Sequence, residues 1–302
     1  MTRSSAPPVL VEVAAVTQRL AVLLAAGVAP VSAWRHVAEA SGSPVPAAVA
    51  ASEHPADEAL LAAASDRPAL EAQAWRGLAA AWRVATEAGS SLAPALRSYA
   101  GSLRELAQVQ REIGVALAGP LATSRLVTAL PAVGLLFGLA LGFDTVRVLA
   151  TTPVGWGCLG LGALLIVIAA RWSRRLVAGA QPRDAVPGLG LELTAIAVSG
   201  GGALDRARAL VDGALAAVGA GTTECVDDVL ELSRRAGVPA AELLRSEASE
   251  RRRTSSAEAQ RRAAALSVKL MLPLGVCILP AFMLLGVVPM LLAVVQSTVG
   301  TF

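Results

Sequence analysis

Three stretches of this 302-residue chain contain no charged residue: Leu126–Phe143, Val148–Ala170 and Leu270–Phe302. The hydrocarbon core of a bilayer is about 30 Å thick and needs about 20 apolar helical residues, with about 17 as a lower limit. All three stretches meet that limit, although a buried core helix is an alternative for the first. We therefore predict an all-α integral membrane protein with three transmembrane helices.

The charges that flank these stretches predict their orientation. Positive residues mark the cytoplasmic ends of membrane spans, and arginines precede the first stretch, follow the second and precede the third. The only charged residues between the first two stretches are Asp144 and Arg147, whose charges cancel. We expect a 2+1 arrangement in the inner membrane with both soluble parts in the cytoplasm. Pro273, Pro280 and Pro289 predict that the third span is kinked or tilted and extends outside.

The first soluble part has the periodicity of amphipathic helices. A first helix ends near Gly27, and Val31, Trp34 and Val37 continue a short second one after Pro30. A further helix ends at Gly89, and the next begins near Ser91 and runs towards the first apolar stretch. The inner face predicted for this second helix consists of Leu92, Leu96, Tyr99, Leu103, Leu106, Ile113 and Leu117. The residues that mark the helix before Gly89 are Leu70, Ala74, Leu78, Ala81, Trp82 and Ala85. Four prolines between residues 41 and 68 predict an irregular insertion.

The second half of the chain repeats this plan. Residues 129–136 read A-L-P-A-V-G-L-L, and residues 278–285 read I-L-P-A-F-M-L-L, an offset of 149. Gly89 and Gly237 each follow a predicted helix at an offset of 148. We predict an internal duplication in which each repeat is a cytoplasmic helical-bundle domain followed by membrane helices.

The predicted organisation has four parts. These are a cytoplasmic helical domain at 1–124 with the Pro-rich insertion at 41–68, a transmembrane hairpin at 125–172, a second cytoplasmic domain at 173–267, and the third transmembrane helix with a short outside tail at 268–302. Gly134, Gly138 and Gly142 repeat every fourth residue in the first span. Small residues at that spacing let membrane helices approach closely, so they are candidate packing positions.

The sequence lacks the motifs that several kinds of chemistry require. The single lysine, Lys269, lies in S-V-K-L, so no G-x-x-x-x-G-K-[ST] phosphate loop exists. His36 and His54 are the only histidines, and the three cysteines form no metal-ligand pattern. A net charge of +3 without interleaved aromatic and basic residues does not favour nucleic acid. We expect no catalytic residues, no metal, no cofactor and no nucleic-acid partner.

The whole arrangement resembles the type II secretion system F family, the inner-membrane platform proteins of type II secretion and of type IV or Tad/Flp pili. The family motif before the long helix is matched by Glu87-Ala88-Gly89-Ser90-Ser91-Leu92, and the apolar-glycine motif of each repeat by Leu23–Val28 and Ala197–Gly201. Leu130-Pro131 and Leu279-Pro280 replace the usual Tyr-Pro of each span. With these departures, the sequence resembles a divergent, Tad-type branch of the family.

The resemblance implies a non-enzymatic role in which the chain couples a separate cytoplasmic ATPase to the assembly of pilin-like subunits. Further implied partners are identical or paralogous platform subunits and membrane lipid. A transporter subunit and a membrane-anchored regulatory scaffold are alternatives. Charged residues on the two long helices that run towards the membrane are candidates for the partner contact: Arg97, Arg104, Glu105, Arg245, Arg251 and Arg252.

Overall fold

A computed structural model of the chain describes residues 9–140, 153–180, 186–220, 226–289 and 291. Across these residues all regular structure is helical, which confirms the all-α prediction for the part that is described. The chain forms two compact units. Unit 1 combines Met1–Arg111 with Arg183–Glu258, and unit 2 combines Glu112–Pro182 with Ala259–Phe302. Unit 1 thus contains residues from both predicted soluble parts.

The described residues form eleven helices of eight or more residues. In chain order they are α1 (Val9–Ala25), α2 (Pro30–Ser41), α3 (Pro44–Ala51), α4 (Ala56–Ala64), α5 (Ala69–Glu87), α6 (Leu92–Ala140), α7 (Pro153–Ala180), α8 (Leu189–Ser199), α9 (Leu204–Val218), α10 (Val226–Ala236) and α11 (Ala240–Lys269). The helices α6 and α11 each contribute residues to both units, and α7 belongs to unit 2.

The helix predicted before Gly89 is confirmed as α5. Its predicted stripe is buried from Ala74 to Ala85, and only Leu70 at its start is partly exposed. Gly89 has a φ of +68°, a left-handed conformation in which a side chain is strained and which commonly ends a helix. In α6, Leu96, Tyr99 and Leu103 are buried on the predicted face. Local periodicity therefore placed both helices and their inner faces correctly.

The prediction of an irregular insertion at 41–68 is wrong, because this segment forms α3 and α4. Pro44 occupies the first turn of α3, while Pro55 and Pro68 lie immediately before α4 and α5. Proline lacks a backbone N–H, but the N–H groups of a first turn have no partner within the helix in any case, so proline fits there. In this segment the prolines start helices instead of interrupting them.

The inner face of α2 also differs from the prediction. Ala33, Trp34 and Val37 are buried, whereas Val31 is 77% exposed. Val31 lies in the first turn of the helix, next to Pro30. Periodicity assigns a residue to a face of a helix, but it does not say how far along the helix the packed surface extends.

The centre of unit 1 is built around α5 and α8. The helix α5 contacts α1, α4, α8 and α9. Every residue of α8 from Leu191 to Ala197 is buried. Leu193 and Ile196 join the main core with α1–α6 and α9, while Leu191 and Ala195 join a second cluster with α10 and α11. A helix buried on all sides is normally apolar throughout. Between Leu191 and Ala197 the exceptions are Thr194, whose hydroxyl donates to the Gly190 carbonyl oxygen at 2.8 Å, and Glu192.

In unit 2, α7 packs against the helical segment that follows α11, residues 271–287. A Cβ atom on Gly162 would lie 2.5 Å from Leu285 Cγ, so the glycine leaves room for that leucine. Ala169 of α7 forms a small buried cluster with Cys277 and Ile278. Close helix contact at a small residue is typical of packing in a membrane.

Residues 271–287 are helical, with irregularities that match their prolines. The segment passes through two π-helical stretches, Leu274–Ile278 and Met283–Val287, after a turn at Leu270. Each proline removes the hydrogen bond to the carbonyl four residues earlier and crowds that carbonyl. For Pro280 and Pro289 those carbonyls lie at residues 276 and 285, one within each π-helical stretch. A wider turn relieves this crowding.

Two helical stretches of the described residues are long and apolar enough to cross a membrane: Pro153–Leu176 and Ala240–Val287. In their apolar windows only 22% and 35% of the residues are buried inside the structure, unlike the core helix of a soluble protein. Two of the three predicted spans thus have helical candidates. The first predicted span lies in α6 as far as Ala140, and its last residues, with Gly142, lie outside the described residues.

Candidate functional site: a buried ion-pair cluster between three helices

The most unusual side chain of unit 1 is Glu192, the single charged residue of α8. Its side chain is only 3% exposed. Burying an isolated carboxylate is costly unless charges or hydrogen bonds compensate it. The groups that surround Glu192 therefore form a distinct site, because other helices must supply this compensation.

Arg252 of α11 pairs with this carboxylate. Its Nη1 donates to Glu192 Oε2 at 3.2 Å, and its Nε donates to Glu105 Oε2 of α6 at 2.9 Å. The Arg252 side chain is 11% exposed, whereas that of Glu105 is 57% exposed. The guanidinium thus bridges a buried carboxylate and a surface carboxylate, and it joins α6, α8 and α11.

Two further side chains of α6 complete the cluster. The Ser102 hydroxyl donates to Glu192 Oε2 at 2.8 Å. Tyr99 is fully buried, and its hydroxyl donates to the Ala74 carbonyl oxygen at 2.7 Å. Burial, and to a lesser extent the negative charge of Glu192, raises the pKa of Tyr99 well above its ordinary value. The phenol therefore stays protonated and keeps donating this hydrogen bond to α5 throughout the physiological pH range.

We call the cluster of Glu192, Arg252, Glu105, Ser102 and Tyr99 the clamp, because its hydrogen bonds hold α6, α8 and α11 together. A guanidinium stays charged at any physiological pH, and its fixed, planar set of donors suits two carboxylates at once. Glu192 Oε1 is buried and has no hydrogen-bond partner among the described residues, so Oε2 accepts both of the bonds above. Within the same residues, no group of three or more His, Cys, Asp or Glu is placed to hold a metal ion.

The residues predicted to contact a partner have different environments. Arg97 and Arg104 are exposed on α6. Arg245 is exposed and donates to Ser199 Oγ at 3.0 Å, and the Arg251 and Glu247 side chains form an i,i+4 pair at 3.8 Å. Arg252, in contrast, faces into unit 1 with Glu105 at its edge. Among the six residues predicted to contact a partner, Glu105 and Arg252 are the two that form an ion pair with each other.

Contacts between α6 and α11 follow a regular spacing. In unit 1, Arg252 and Glu105 are 147 residues apart. In unit 2, Gln260 Nε2 donates to Glu112 Oε2 at 2.6 Å, and these residues are 148 apart. The predicted repeats have the same offset, so residues at equivalent or neighbouring repeat positions contact each other.

The first part of the chain is similar to a known protein family. Residues 16–140 match the model of the family described as type II secretion system (T2SS), protein F. This segment is similar to a type II secretion system F domain, and we call it the F domain. No curated protein and no solved structure matches the chain. The F domain covers most of α1 and all of α2–α6, which is the first predicted repeat.

The chain thus combines a segment that is similar to this secretion-system family with two helical stretches that are candidate membrane spans. Ser102, Tyr99 and Glu105 lie within the F domain, whereas Glu192 and Arg252 lie beyond its matched residues. The clamp therefore joins the F domain to the part of the chain that follows. Sequence reasoning missed Glu192, although one acidic residue in the otherwise uncharged L-G-L-E-L-T-A-I-A-V-S helix is a signal that it needs a partner.

The contact between Tyr99 and α5 gives a testable prediction. A Cβ atom on Gly77 would lie 2.3 Å from Tyr99 Oη. We expect Gly77→Ala to lower the free energy of unfolding by about 1 kcal/mol, because overpacking costs about 1–3 kcal/mol and the better helix propensity of alanine offsets about 1 kcal/mol. Tyr99→Phe removes Oη, so Gly77→Ala should cost less in that background. Denaturant unfolding of the four proteins measures this coupling, and strictly additive effects would contradict it.

Proposed function

We propose that this chain is a non-enzymatic platform protein of a Tad/Flp-type pilus or type II secretion machine. In this role it couples a separate cytoplasmic ATPase to the assembly of pilin-like subunits. The observation that carries the proposal is the F domain at residues 16–140. The chain has no phosphate-binding loop of its own, so a partner has to supply the energy of nucleotide hydrolysis.

The two long helices are the proposed path for this coupling. Both α6 and α11 contribute residues to unit 1 and to unit 2. Hydrogen-bonded helices resist bending, so a displacement at one end is carried towards the other. Arg252 ties the two helices and α8 together in unit 1. A partner that moves unit 1 would therefore displace α6 and α11 together.

The contact surface for the ATPase is proposed to include Arg97 and Arg104, which are exposed on α6. Arg245 and Arg251 are further candidates on α11. Arg252 is better assigned to the clamp, since its side chain is engaged with two carboxylates of its own unit. Exposed charges contribute little to folding, so the arginines of α6 can be changed without loss of the fold.

The topology can be tested with reporter fusions. We expect reporters placed after Arg111 and near Arg235 to report the cytoplasm, and reporters near Thr151 and at Phe302 to report the outside. The reason is the arginine asymmetry around the apolar stretches. An outside signal from the fusion near Arg235 would contradict the 2+1 arrangement.

The function itself is tested by deletion and complementation in the native host. Loss of the gene should abolish extracellular pilin-like subunits or secreted substrate, while their intracellular precursors persist. Arg97→Glu with Arg104→Glu should restore the inserted protein but lower this output and weaken capture of the ATPase. Arg19→Glu, which changes an exposed arginine of α1, is the matched control. The purified chain should hydrolyse no ATP above a mock-purified sample, and hydrolysis by the chain alone would overturn the proposal.

A further inference from the structure

Unit 2 has a charge balance unlike that of the rest of the chain. It contains eight lysines or arginines and only two acidic residues, Glu112 and Asp144, whereas the whole chain has a net charge of +3. The rest of the chain is therefore acidic overall, and the positive charge is concentrated in the unit that contains α7. Six of the eight basic residues lie on α7 and α11: Arg171, Arg174, Arg175, Arg261, Arg262 and Lys269.

The three arginines of α7 share one face of the helix. Arg171, Arg174 and Arg175 are spaced i, i+3 and i+4, so their side chains are neighbours. The opposite side of α7 packs against residues 271–287 at Ala169. At 3.6 residues per turn, the arginines lie about 140–240° around the helix from Ala169. All three are exposed, so the described part of the chain leaves this face uncovered.

These arginines also have no counter-ion among the described residues. No acidic side chain of that part of the chain forms an ion pair with any of the three. In unit 1, by contrast, Arg83 and Arg251 each pair with a glutamate one turn away on the same helix. The charge of the α7 face is therefore available to a negatively charged group from outside the chain.

The tryptophans of α7 place this face at a membrane surface. Trp156 and Trp172 are both exposed and lie about 24 Å apart along the helix, at 1.5 Å per residue. Tryptophan is enriched at the two membrane–water interfaces, so these rings mark the ends of the span. Arg174 and Arg175 follow Trp172 within one turn, at the level where lipid headgroups lie.

Lys269 lies at the same end of unit 2. The segment that follows α11 runs antiparallel to α7, since Gly162 is next to Leu285 and Ala169 is next to Cys277. Lys269 comes just before this segment and is exposed. Both helical elements thus present basic side chains where they leave the apolar layer.

We propose that Arg171, Arg174 and Arg175, with Lys269, bind the headgroups of anionic phospholipids. A guanidinium matches the oxygens of a phosphate with paired N–H groups, and basic residues beside a span attract anionic lipid. An orientation signal requires only positive charge near a span, whereas these arginines share one face and lack an internal counter-ion. The proposal rests on the insertion of α7 into a membrane, but not on the coupling to an ATPase.

Quenching of Trp172 fluorescence by brominated lipids tests the proposal. The full-length chain with Trp156→Phe is reconstituted into nanodiscs of phosphatidylcholine mixed with either brominated phosphatidylglycerol or brominated phosphatidylcholine. Trp172→Phe in the same background measures the signal of the buried tryptophans of unit 1. We expect phosphatidylglycerol to bind beside Trp172 at least about fivefold more strongly than phosphatidylcholine, which is the gain from one basic residue at an anionic surface.

Variants of the basic face show whether it causes this preference. Replacing all three arginines of α7 with glutamine should make the two lipids bind almost equally. Arg174→Gln alone should also lower the preference, and it leaves two arginines to orient the span. The matched control makes the same change in net charge on exposed arginines of unit 1 and should keep the preference: Arg19→Gln, Arg97→Gln and Arg104→Gln.

Four outcomes would contradict the proposal. Equal quenching by the two lipids, or an unchanged preference in the triple variant of α7, would exclude the headgroup surface. Loss of the preference in inorganic phosphate, but not in chloride of equal ionic strength, would identify free phosphate as the ligand. Quenching of Trp172 by neither lipid would exclude the insertion of α7 as well. The assay contains no ATPase or pilin-like subunit, so failure of the platform role leaves its result unchanged.

Discussion

Replacing Arg252 with methionine should lower the free energy of unfolding of unit 1 by about 3–5 kcal/mol. The substitution leaves Glu192 buried without its cation, while Ser102 supplies only one neutral hydrogen bond. Removing one partner of a buried pair costs more than the pair contributes as a whole, because the remaining charge is uncompensated. The tryptophans of unit 1, Trp34, Trp75 and Trp82, report the transition by fluorescence during denaturant unfolding of the detergent-solubilised protein.

Two further variants make this prediction specific. Arg253→Met changes the exposed neighbour of Arg252 and should stay within about 0.5 kcal/mol of the wild type. The double variant Arg252→Met with Glu192→Leu should recover most of the loss, because an apolar pair of similar volume often replaces a buried ion pair without penalty. Equal effects of Arg252→Met and Arg253→Met would show that the clamp does not stabilise unit 1.

The second large effect is expected at Gly200, which follows α8. A Cβ atom there would lie 2.1 Å from the Ala88 carbonyl oxygen at the end of α5. That oxygen belongs to the backbone and cannot rotate away, so Gly200→Ala must move the end of α5 or of α8. We expect a loss of about 1–3 kcal/mol, measured from the same fluorescence transition.

The neighbouring glycine provides a control for this prediction. No atom lies within 4 Å of a Cβ placed on Gly202, so Gly202→Ala should change the stability by less than about 0.5 kcal/mol. The two glycines lie two residues apart, and the two variants share the type of substitution but differ in the contact with Ala88. If Gly202→Ala were as harmful as Gly200→Ala, a general intolerance of this loop would explain the effect, and not the contact.

Much of the fold follows from local sequence. The stripe from Leu70 to Ala85 and the glycine at 89 predict α5 because helix periodicity and chain reversal are encoded within a few residues. The prolines at 44, 55 and 68 were misread for an equally local reason. A proline in the interior of a helix interrupts it, whereas a proline in the first turn fits. Only the position of the helix start distinguishes these two cases.

The sequence by itself determined the helices and the apolar stretches of this protein, since periodicity and hydrophobicity are properties of neighbouring residues. It did not determine that Arg252, 60 residues beyond Glu192, is buried against it, nor that Gly200 lies on the carbonyl of Ala88. In the sequence, Arg252 and the exposed Arg253 are adjacent residues of the same type, and nothing local marks one of them as buried. Only the packing of α6, α8 and α11 distinguishes them, because burial depends on which helices approach a residue, and that is decided by contacts between residues distant in sequence.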